Sequence, residues 1–338
     1  MVTTRRDTRE PLNGKAHATP ARAFPRKIRR ALPAAVIAVV ALATTAMTAA
    51  GRSARPSRAA TGTGFVTRAG ATLLLDGRPF RFAGANIYWL GLDENVGGVN
   101  YPTRFRVDDA LTTARAMGAT VVRSHTLGIS VDCALCVEPS LGHFNATALA
   151  HIDDAVKAAR GHGIHLVVPL VDNWRYYHGG KHTFTDWRGV ADENQFYTNA
   201  TVIADFEQYI GHLLNHVNIY TGVAYKDDPT IMAWETGNEL SAPASWVKTI
   251  TTYIKGVDRN HLVLDGNYGV KPDDLSLPGV DIVSDHFYPA DVAKLTSDAA
   301  AVRSAGKAYI AGEFDWQGKK GGDPPDSFLA AALSTKGT

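Results

Sequence analysis

Residues 231–239 read IMAWETGNE, a short apolar run that closes in two carboxylates and an amide. An uninterrupted apolar run of this length suits a strand covered on both faces, where no polar alternation is needed. Its polar close puts Glu235, Asn238 and Glu239 at or beyond the C-terminal end of that strand. The same grammar recurs outward along the chain: VVRSH at 121–125, IHLVVPLVDNW at 164–174, HLVLDG at 261–266, VDIVSDHFYP at 280–289 and KAYIAGEFDW at 307–316. Near the start, TLLLDGRPFRFAGANIYW (72–89) carries a hairpin signal at Asp76-Gly77, then a strand ending near Asn86.

Seven strands are therefore expected, at about 80–86, 120–125, 165–170, 231–235, 262–265, 281–285 and 308–312. Helical patterns lie between most of them, at about 102–118, 147–160, 194–217, 245–257 and 291–306, and another begins at 326. The longest carries Ile203, Phe206, Ile210, Leu213 and Leu214 at helical spacing. Polar groups gather at the strand ends: Asn86, Arg123, His125, Asp172, Asn173, Asn238, Glu239, His286 and Glu313. In a (β/α)8 barrel those ends form the mouth where chemistry is done. A doubly wound open sheet would want a glycine-rich phosphate loop after its first strand, and none follows. The expected fold is α/β, a (β/α)8 TIM barrel without its eighth strand and helix, because the closing residues STKGT offer no strand.

The chain has 338 residues, 45% of them hydrophobic and 20% charged, enough for a large core. Its formal charge of +2 hides an asymmetry. Residues 1–60 hold 12 Lys/Arg and 2 Asp/Glu, which leaves 23 basic and 31 acidic residues in the body. An acidic body without a Lys/Arg run argues against nucleic-acid binding. Residues 31–50, ALPAAVIAVVALATTAMTAA, carry no charge and follow the basic PRKIRR. That order reads as a signal peptide, with an N-terminal membrane segment as the lesser alternative, and both place the body outside the cytoplasm. The expected organisation is a leader over 1–50, a flexible tether over 51–61 and a catalytic barrel over 62–338. No linker or dimerisation stripe stands out, so a monomer is expected.

Two strand-end carboxylates can flank one bond, one donating a proton and the other attacking or activating water. Glu239 and Glu313 are that pair, and Glu235, four residues deeper, is expected inside the barrel. Arg123 beside Glu313 would hold it ionised, while the charge on Glu313 would in turn favour a proton on Glu239. Asn238 can bond a substrate hydroxyl, and His286 and Tyr288 supply further donors. Trp89, Trp174, Trp187 and Trp316, with Asn173, fall in or near expected strand-to-helix loops, where aromatic faces suit the C–H face of a sugar. Tyr176, Tyr177, Tyr197 and Trp246 share that region, and core packing accounts for two or three of these aromatics. Cys133 and Cys136, in an exported protein, are expected to form a short-loop disulfide rather than a redox pair. HGGKH at 178–182 reads as a loop rather than a metal site, and no Walker motif is present.

Taken in order, Arg123, WETGNE, SDHFYP and AGEFDW resemble the catalytic domain of glycoside hydrolase family 5, over about residues 62–335. LVVPLVDNWRYYHGG, followed by TDWRG, looks most like the secreted endo-β-1,4-mannanases within it. The resemblance implies Glu239 as acid/base, Glu313 as nucleophile, and Arg123, Asn238, His286 and Tyr288 as their supports. It implies a β-mannan type polysaccharide as substrate and no cofactor, with a β-1,4-glucanase of the same family and an inactive carbohydrate-binding remnant as the alternatives. Two departures stand out. Leu240 occupies a position where mannanases commonly have proline, and the sequence ends before the family's strand-eight tryptophan platform.

Overall fold

The computed structural model describes residues 64–335. The expected leader and tether lie outside the described residues. Three short antiparallel strands come first, β1 (Val66–Ala69), β2 (Thr72–Leu75) and β3 (Arg78–Pro79), with Asp76-Gly77 turning between the last two. Gly77 has φ +74° and Asp76 φ +52°, the left-handed geometry that a two-residue hairpin turn with strand-matched twist requires.

Seven parallel strands follow: β4 (Gly84–Asn86), β5 (Val121–Arg123), β6 (His165–Pro169), β7 (Ile231–Glu235), β8 (Leu262–Asp265), β9 (Ile282–Phe287) and β10 (Ala308–Phe314). Each pairs with its sequence neighbour, so the sheet order is the chain order. Helices α1 (Arg104–Ala116), α2 (Ala146–His162), α3 (Lys181–Trp187), α4 (Ala200–Asn215), α5 (Ala244–Val257), α6 (Val292–Ser304) and α7 (Pro325–Ser334) are interleaved. The Asn86 amide donates to the Gly312 carbonyl at 3.0 Å, drawing the two outer strands of the sheet towards each other. The result is a nearly closed barrel of seven strands, the incomplete (β/α)8 form that the strand grammar implies.

The apolar side chains divide into two layers. Val121, Val167, Met232, Ala233, Leu262, Leu264, Ile282, Ala308 and Ile310 fill the interior, and Val66 and Leu73 of the small sheet close onto them. Val122, Leu166, Val168, Trp234, Val263, Val283 and Tyr309 point the other way, into the layer shared with the helices. Strand residues alternate in and out because the side-chain period is two, except at Met232 and Ala233, consecutive interior residues of β7 where its register against β6 shifts by one; both faces are buried, so both are apolar. Phe206, Ile210, Leu213 and Leu214 of α4 are fully buried in the outer layer, worth about 1.5–3 kcal/mol each.

Two helix expectations need correcting. The pattern at 194–217 is not one helix. A 3-10 turn over Glu193–Tyr197 stops, and Asn199 starts α4 afresh by accepting from the Thr201 and Val202 amides. A side-chain cap of this kind wins locally over continuous periodicity. Residues 181–187, expected as loop, form α3, whose Phe184 is buried among Phe196, Phe206 and Tyr209. No described helix is long and apolar enough to cross a membrane.

Candidate active site

Strand parity carries the site residues inward. Val121 faces the interior, so Arg123, two residues on, does too. Ala233 does the same for Glu235, and Ile282 for His286. Glu313 breaks the rule. Ile310 faces inward, so regular pleating would send Glu313 outward. A register shift between Ala311 and Glu313 inserts one residue and turns Glu313 back opposite His286. Bulges beside active sites re-aim side chains in this way. The extra residue is Gly312, where a Cβ would lie 2.9 Å from the His286 ring nitrogen Nε2.

Glu239 is placed by a different device. The loops after β6, β7 and β8 extend the sheet, with bridges between Asp172 and Asn238 and between Leu240 and Asn267. On one flank the Asn238 amide donates to the Val171 carbonyl, and on the other the Leu240 amide donates to Gly266. Between them Glu239 adopts φ +52°, a left-handed conformation costing about 1–3 kcal/mol in a residue other than glycine. Clamps on both sides hold it there.

Arg123 joins the parts. It is 7% exposed, and its guanidinium grips both oxygens of Glu235 at 2.6 and 2.8 Å. It also donates to Glu313 Oε1 at 2.7 Å and to Asn238 Oδ1 at 2.8 Å. Burial alone would lower its pKa, but Glu235 and Glu313 together raise it. An arginine nitrogen cannot accept, so His125 Nε2, 3.0 Å from it, must be an unprotonated acceptor. Burial and that guanidinium push the His125 pKa down to about 3. The same logic fixes the Asn238 amide, whose Nδ2 faces Asp172 at 3.1 Å, while His178 holds the far oxygen of Asp172.

The two strand-end carboxylates meet over His286. Its Nδ1 lies 2.7 Å from Glu239 Oε1 and 3.7 Å from Glu313 Oε1. Glu239 Oε2 accepts from the Trp174 indole at 2.6 Å, and Glu313 Oε2 from the Tyr288 hydroxyl at 3.0 Å. Burial alone would raise the Glu313 pKa, but the Arg123 guanidinium lowers it, with help from His286 and Tyr288. Glu239 is lowered as well: burial opposes, and the bonds from His286 and Trp174 prevail. The expectation that Glu313 would keep a proton on Glu239 is therefore corrected: the bonds from His286 and Trp174 lower the proton affinity of Glu239 instead. Glu239, His286 and Glu313 each offer an atom within 4.8 Å of the other two, a spacing that could chelate a cation. The guanidinium on Glu313 opposes a second positive charge there.

Trp174 and Trp316 are 48% and 64% exposed, open to a ligand. Trp89 is half-buried under the Arg106 guanidinium, 4.2 Å from its ring centre. Trp187 ends α3 with its ring edge-on to buried Phe184. Asn173 is half-buried, its backbone amide on the Asn238 carbonyl and its Oδ1 buried without a partner. Tyr197 and Trp246 belong to the core, in contact with each other and with Phe196. Cys133 and Cys136 are joined by a disulfide. Asn86, His125 and Asp172 stood out in the sequence only as polar strand ends. Their work in holding Arg123 and Asn238, Asn86 by accepting from the Arg123 guanidinium at 3.3 Å, depends on contacts between strands, which one strand's residues do not reveal.

A family model described as GH family 5 beta-mannosidase-like matches residues 63–278. The chain belongs to that family. "Mannan endo-1,4-beta-mannosidase 1" of Oryza sativa subsp. japonica is 31% identical to it over 263 residues, 68% of this chain and 60% of the relative. "Putative mannan endo-1,4-beta-mannosidase P" of Arabidopsis thaliana is 33% identical over 227 residues, 62% of this chain and 53% of the relative. The chain thus spans about half to three-fifths of the length of these relatives. Among solved structures, the endo-1,4-beta-mannanase from Rhizomucor miehei superposes with a TM-score of 0.67 at 28% identity. That match covers 74% of this chain and 82% of the neighbour. The family model ends before Glu313, so within this glycoside hydrolase family the second carboxylate is located by the geometry described above.

Proposed function

We propose that the protein is a retaining endo-β-1,4-mannanase, cleaving internal mannosidic bonds in mannan, galactomannan or glucomannan. The observation that carries the mechanism is the separation of Glu239 and Glu313, which bring oxygens within 4.8 Å of each other. Retaining enzymes hold their carboxyl groups about 5–5.5 Å apart, whereas inverting ones leave about 6.5–9.5 Å for a water. Glu313, kept ionised by Arg123 and Tyr288, attacks the anomeric carbon while Glu239 protonates the departing oxygen. A glycosyl-enzyme forms; Glu239 then takes a proton from water, which displaces Glu313 and restores the β configuration.

Were a bound sugar to displace the Trp174 indole from Glu239, one of the donors that keep it ionised would be removed. Proton affinity would then rise where the acid is needed. Mannan as substrate is supported by the Oryza sativa and Arabidopsis thaliana relatives, named as mannan endo-1,4-beta-mannosidases, and by the Rhizomucor miehei neighbour, an endo-1,4-beta-mannanase. Export is supported by the basic residues before position 31 and the uncharged run over 31–50. Mass analysis of the protein from culture medium, with its N-terminus beyond that run, would establish it.

Reducing-sugar release from galactomannan, with carboxymethyl-cellulose alongside, tests the reading. Preferential release from the mannan is expected. Glu239→Gln and Glu313→Gln are each expected to lose several orders of magnitude while keeping a cooperative melt. Release from the glucan alone would overturn the substrate; near-normal turnover by either variant would overturn its role.

A further inference from the structure

His125 stands beside the carboxylates, and the reaction above uses nothing of it but the lone pair it offers Arg123. It follows β5 directly and opens a 3-10 turn over His125–Leu127, its carbonyl accepting from the Gly128 and Ile129 amides. The backbone on either side is fastened. The Ser124 amide donates to the Val167 carbonyl of β6, and the Thr126 amide to the Tyr88 carbonyl in the loop after β4. Thr126 Oγ1 donates to the same Tyr88 carbonyl at 2.9 Å and accepts from the Gly91 and Leu92 amides. His125 is therefore held between two anchored neighbours. Its Nε2 lies 3.0 Å from the Arg123 guanidinium and 4.0 Å from Glu313 Oε1. The His178 ring lies beside it, with centres 6.0 Å apart. The side chain is still 15% exposed, so part of it stays open beside Glu313.

Arg123 decides which nitrogen carries the proton. A guanidinium only donates, so the Nε2 lone pair points at it, and the one proton of the neutral imidazole sits on Nδ1. A second proton would have to enter against the guanidinium, and burial opposes it as well, so the ring stays neutral. The Nδ1–H is not spent within the protein. Among the described residues no acceptor faces Nδ1, and the atom is not sealed from solvent. Other donors around the carboxylates are committed: Arg123 to Glu235, Glu313 and Asn238, Tyr288 to Glu313, and Trp174 to Glu239. An uncharged donor, fixed in direction and open beside a nucleophile, suits a hydroxyl. A neutral N–H gives up far less hydration than an ammonium or guanidinium when a neutral acceptor covers it.

We propose that His125 is a specificity-determining residue, donating from Nδ1 to a hydroxyl of the sugar ring whose anomeric carbon Glu313 attacks. The inference rests on Glu313 being the nucleophile of the proposed reaction. The attacking carboxylate must lie against the anomeric carbon of that ring, and its Oε1 is 4.0 Å from this imidazole. Hydroxyls of the same ring are then the polar groups brought nearest to Nδ1. The two nitrogens divide the work: Nε2 accepts from the guanidinium that keeps Glu313 ionised, and Nδ1 reads the substrate. A site that donates to a hydroxyl rejects a sugar lacking it, because the donor is then covered without a partner.

Two variants separate the nitrogens. His125→Gln places an amide oxygen as many bonds from the backbone as Nε2, so Arg123 keeps an acceptor while the donor at the depth of Nδ1 is lost. His125→Asn places an amide nitrogen at the depth of Nδ1 and keeps that donor. In the full-length protein, kcat/KM is measured on 4-nitrophenyl β-mannotriosides, the hydroxyls of the ring bearing the aryl group being replaced by hydrogen one at a time. Wild type is expected to lose about three- to tenfold on removal of one particular hydroxyl. His125→Gln is expected to lose about that factor on the parent compound and nothing further on that deoxy compound, with an unmoved acid limb of its pH profile. His125→Asn should keep the penalty for that hydroxyl, and its disappearance there would overturn Nδ1 as the donor. Equal penalties in wild type and His125→Gln at every position would overturn the contact. A loss in His125→Gln accompanied by an acid limb moved to higher pH would overturn it in favour of an effect through Arg123. Wild type that cleaves neither galactomannan nor these mannosides would sink the mannanase reading and this role together. Active wild type beside an unimpaired His125→Gln would sink this role alone.

Discussion

Removing Arg123 tests whether one guanidinium holds the centre of the site together. Its side chain is buried, and it neutralises Glu235, 1% exposed, as well as Glu313. Arg123→Met fills the volume with a flexible apolar chain but leaves the Glu235 carboxylate buried without its cation. Breaking a buried ion pair by deleting one partner costs about 3–5 kcal/mol, mostly the desolvation of the charge left behind. At about 2–4 °C per kcal/mol for a domain of this size, the melting temperature at neutral pH should fall by about 6–20 °C. If stranded charge is the cause, neutralising it should restore stability. Arg123→Met with Glu235→Gln is therefore expected to regain at least half of the loss. Catalysis should not return with it, because Glu313 still lacks the neighbour that keeps it ionised. Thermal denaturation and kcat/KM on galactomannan for wild type, both single variants and the double variant close the cycle. A double variant no more stable than Arg123→Met would refute the reasoning and make the loss one of packing.

Tyr288→Phe removes a hydroxyl from ionised Glu313, a bond of about 1.5–3 kcal/mol, so kcat/KM should fall by about 10- to 150-fold. Because Arg123 and Tyr288 lower the Glu313 pKa, activity in the wild type is lost only as pH falls through that lowered value. In Tyr288→Phe the acid limb should therefore move to higher pH, and an unmoved limb would deny the bond its role. Gly312→Ala puts a methyl 2.9 Å from the His286 ring, and is expected to cost about 1–3 kcal/mol in melts and to lower kcat. Trp174→Phe takes the indole donor from Glu239, whose depressed pKa should rise, carrying the alkaline limb of the kcat/KM profile upward; a downward shift would contradict that bond.

Much of the barrel was legible because buried parallel strands are short, apolar and evenly interrupted. All seven appear near the expected places, and five of the expected helices differ by only a few residues at their ends. The failures have local causes. Asn199 splits one expected helix by capping a new one, and α3 is too short, after Gly179 and Gly180, to show its period. Glu235 was readable as an interior residue from its depth in the strand, yet its bidentate grip on Arg123 joins strands 112 residues apart in sequence. The lowered proton affinity of Glu239 was misread for a related reason. Its direction follows from His286 and Trp174, on two other loops, rather than from the charge of Glu313.

The two carboxylates themselves show why counting along a strand identifies a site without orienting it. Period-two alternation brings Arg123, Glu235 and His286 into the barrel, since each lies an even number of residues beyond an inward-facing side chain. Applied to β10, the same rule sends Glu313 towards the helices, and only the bulge at Gly312 reverses it. Glu239 lies beyond the end of β7, where alternation no longer applies, and its direction is set by a left-handed backbone held between the loops after β6 and β8. Regular pleating spaces inward side chains in fixed layers. Bringing two carboxylates from strands 74 residues apart in sequence to within 4.8 Å around one imidazole calls for an offset from those layers. One bulge and one strained residue supply it. The rule that reads the scaffold therefore fails at the two residues proposed to react, and for Glu313 the glycine preceding it is the only trace of that failure in the sequence.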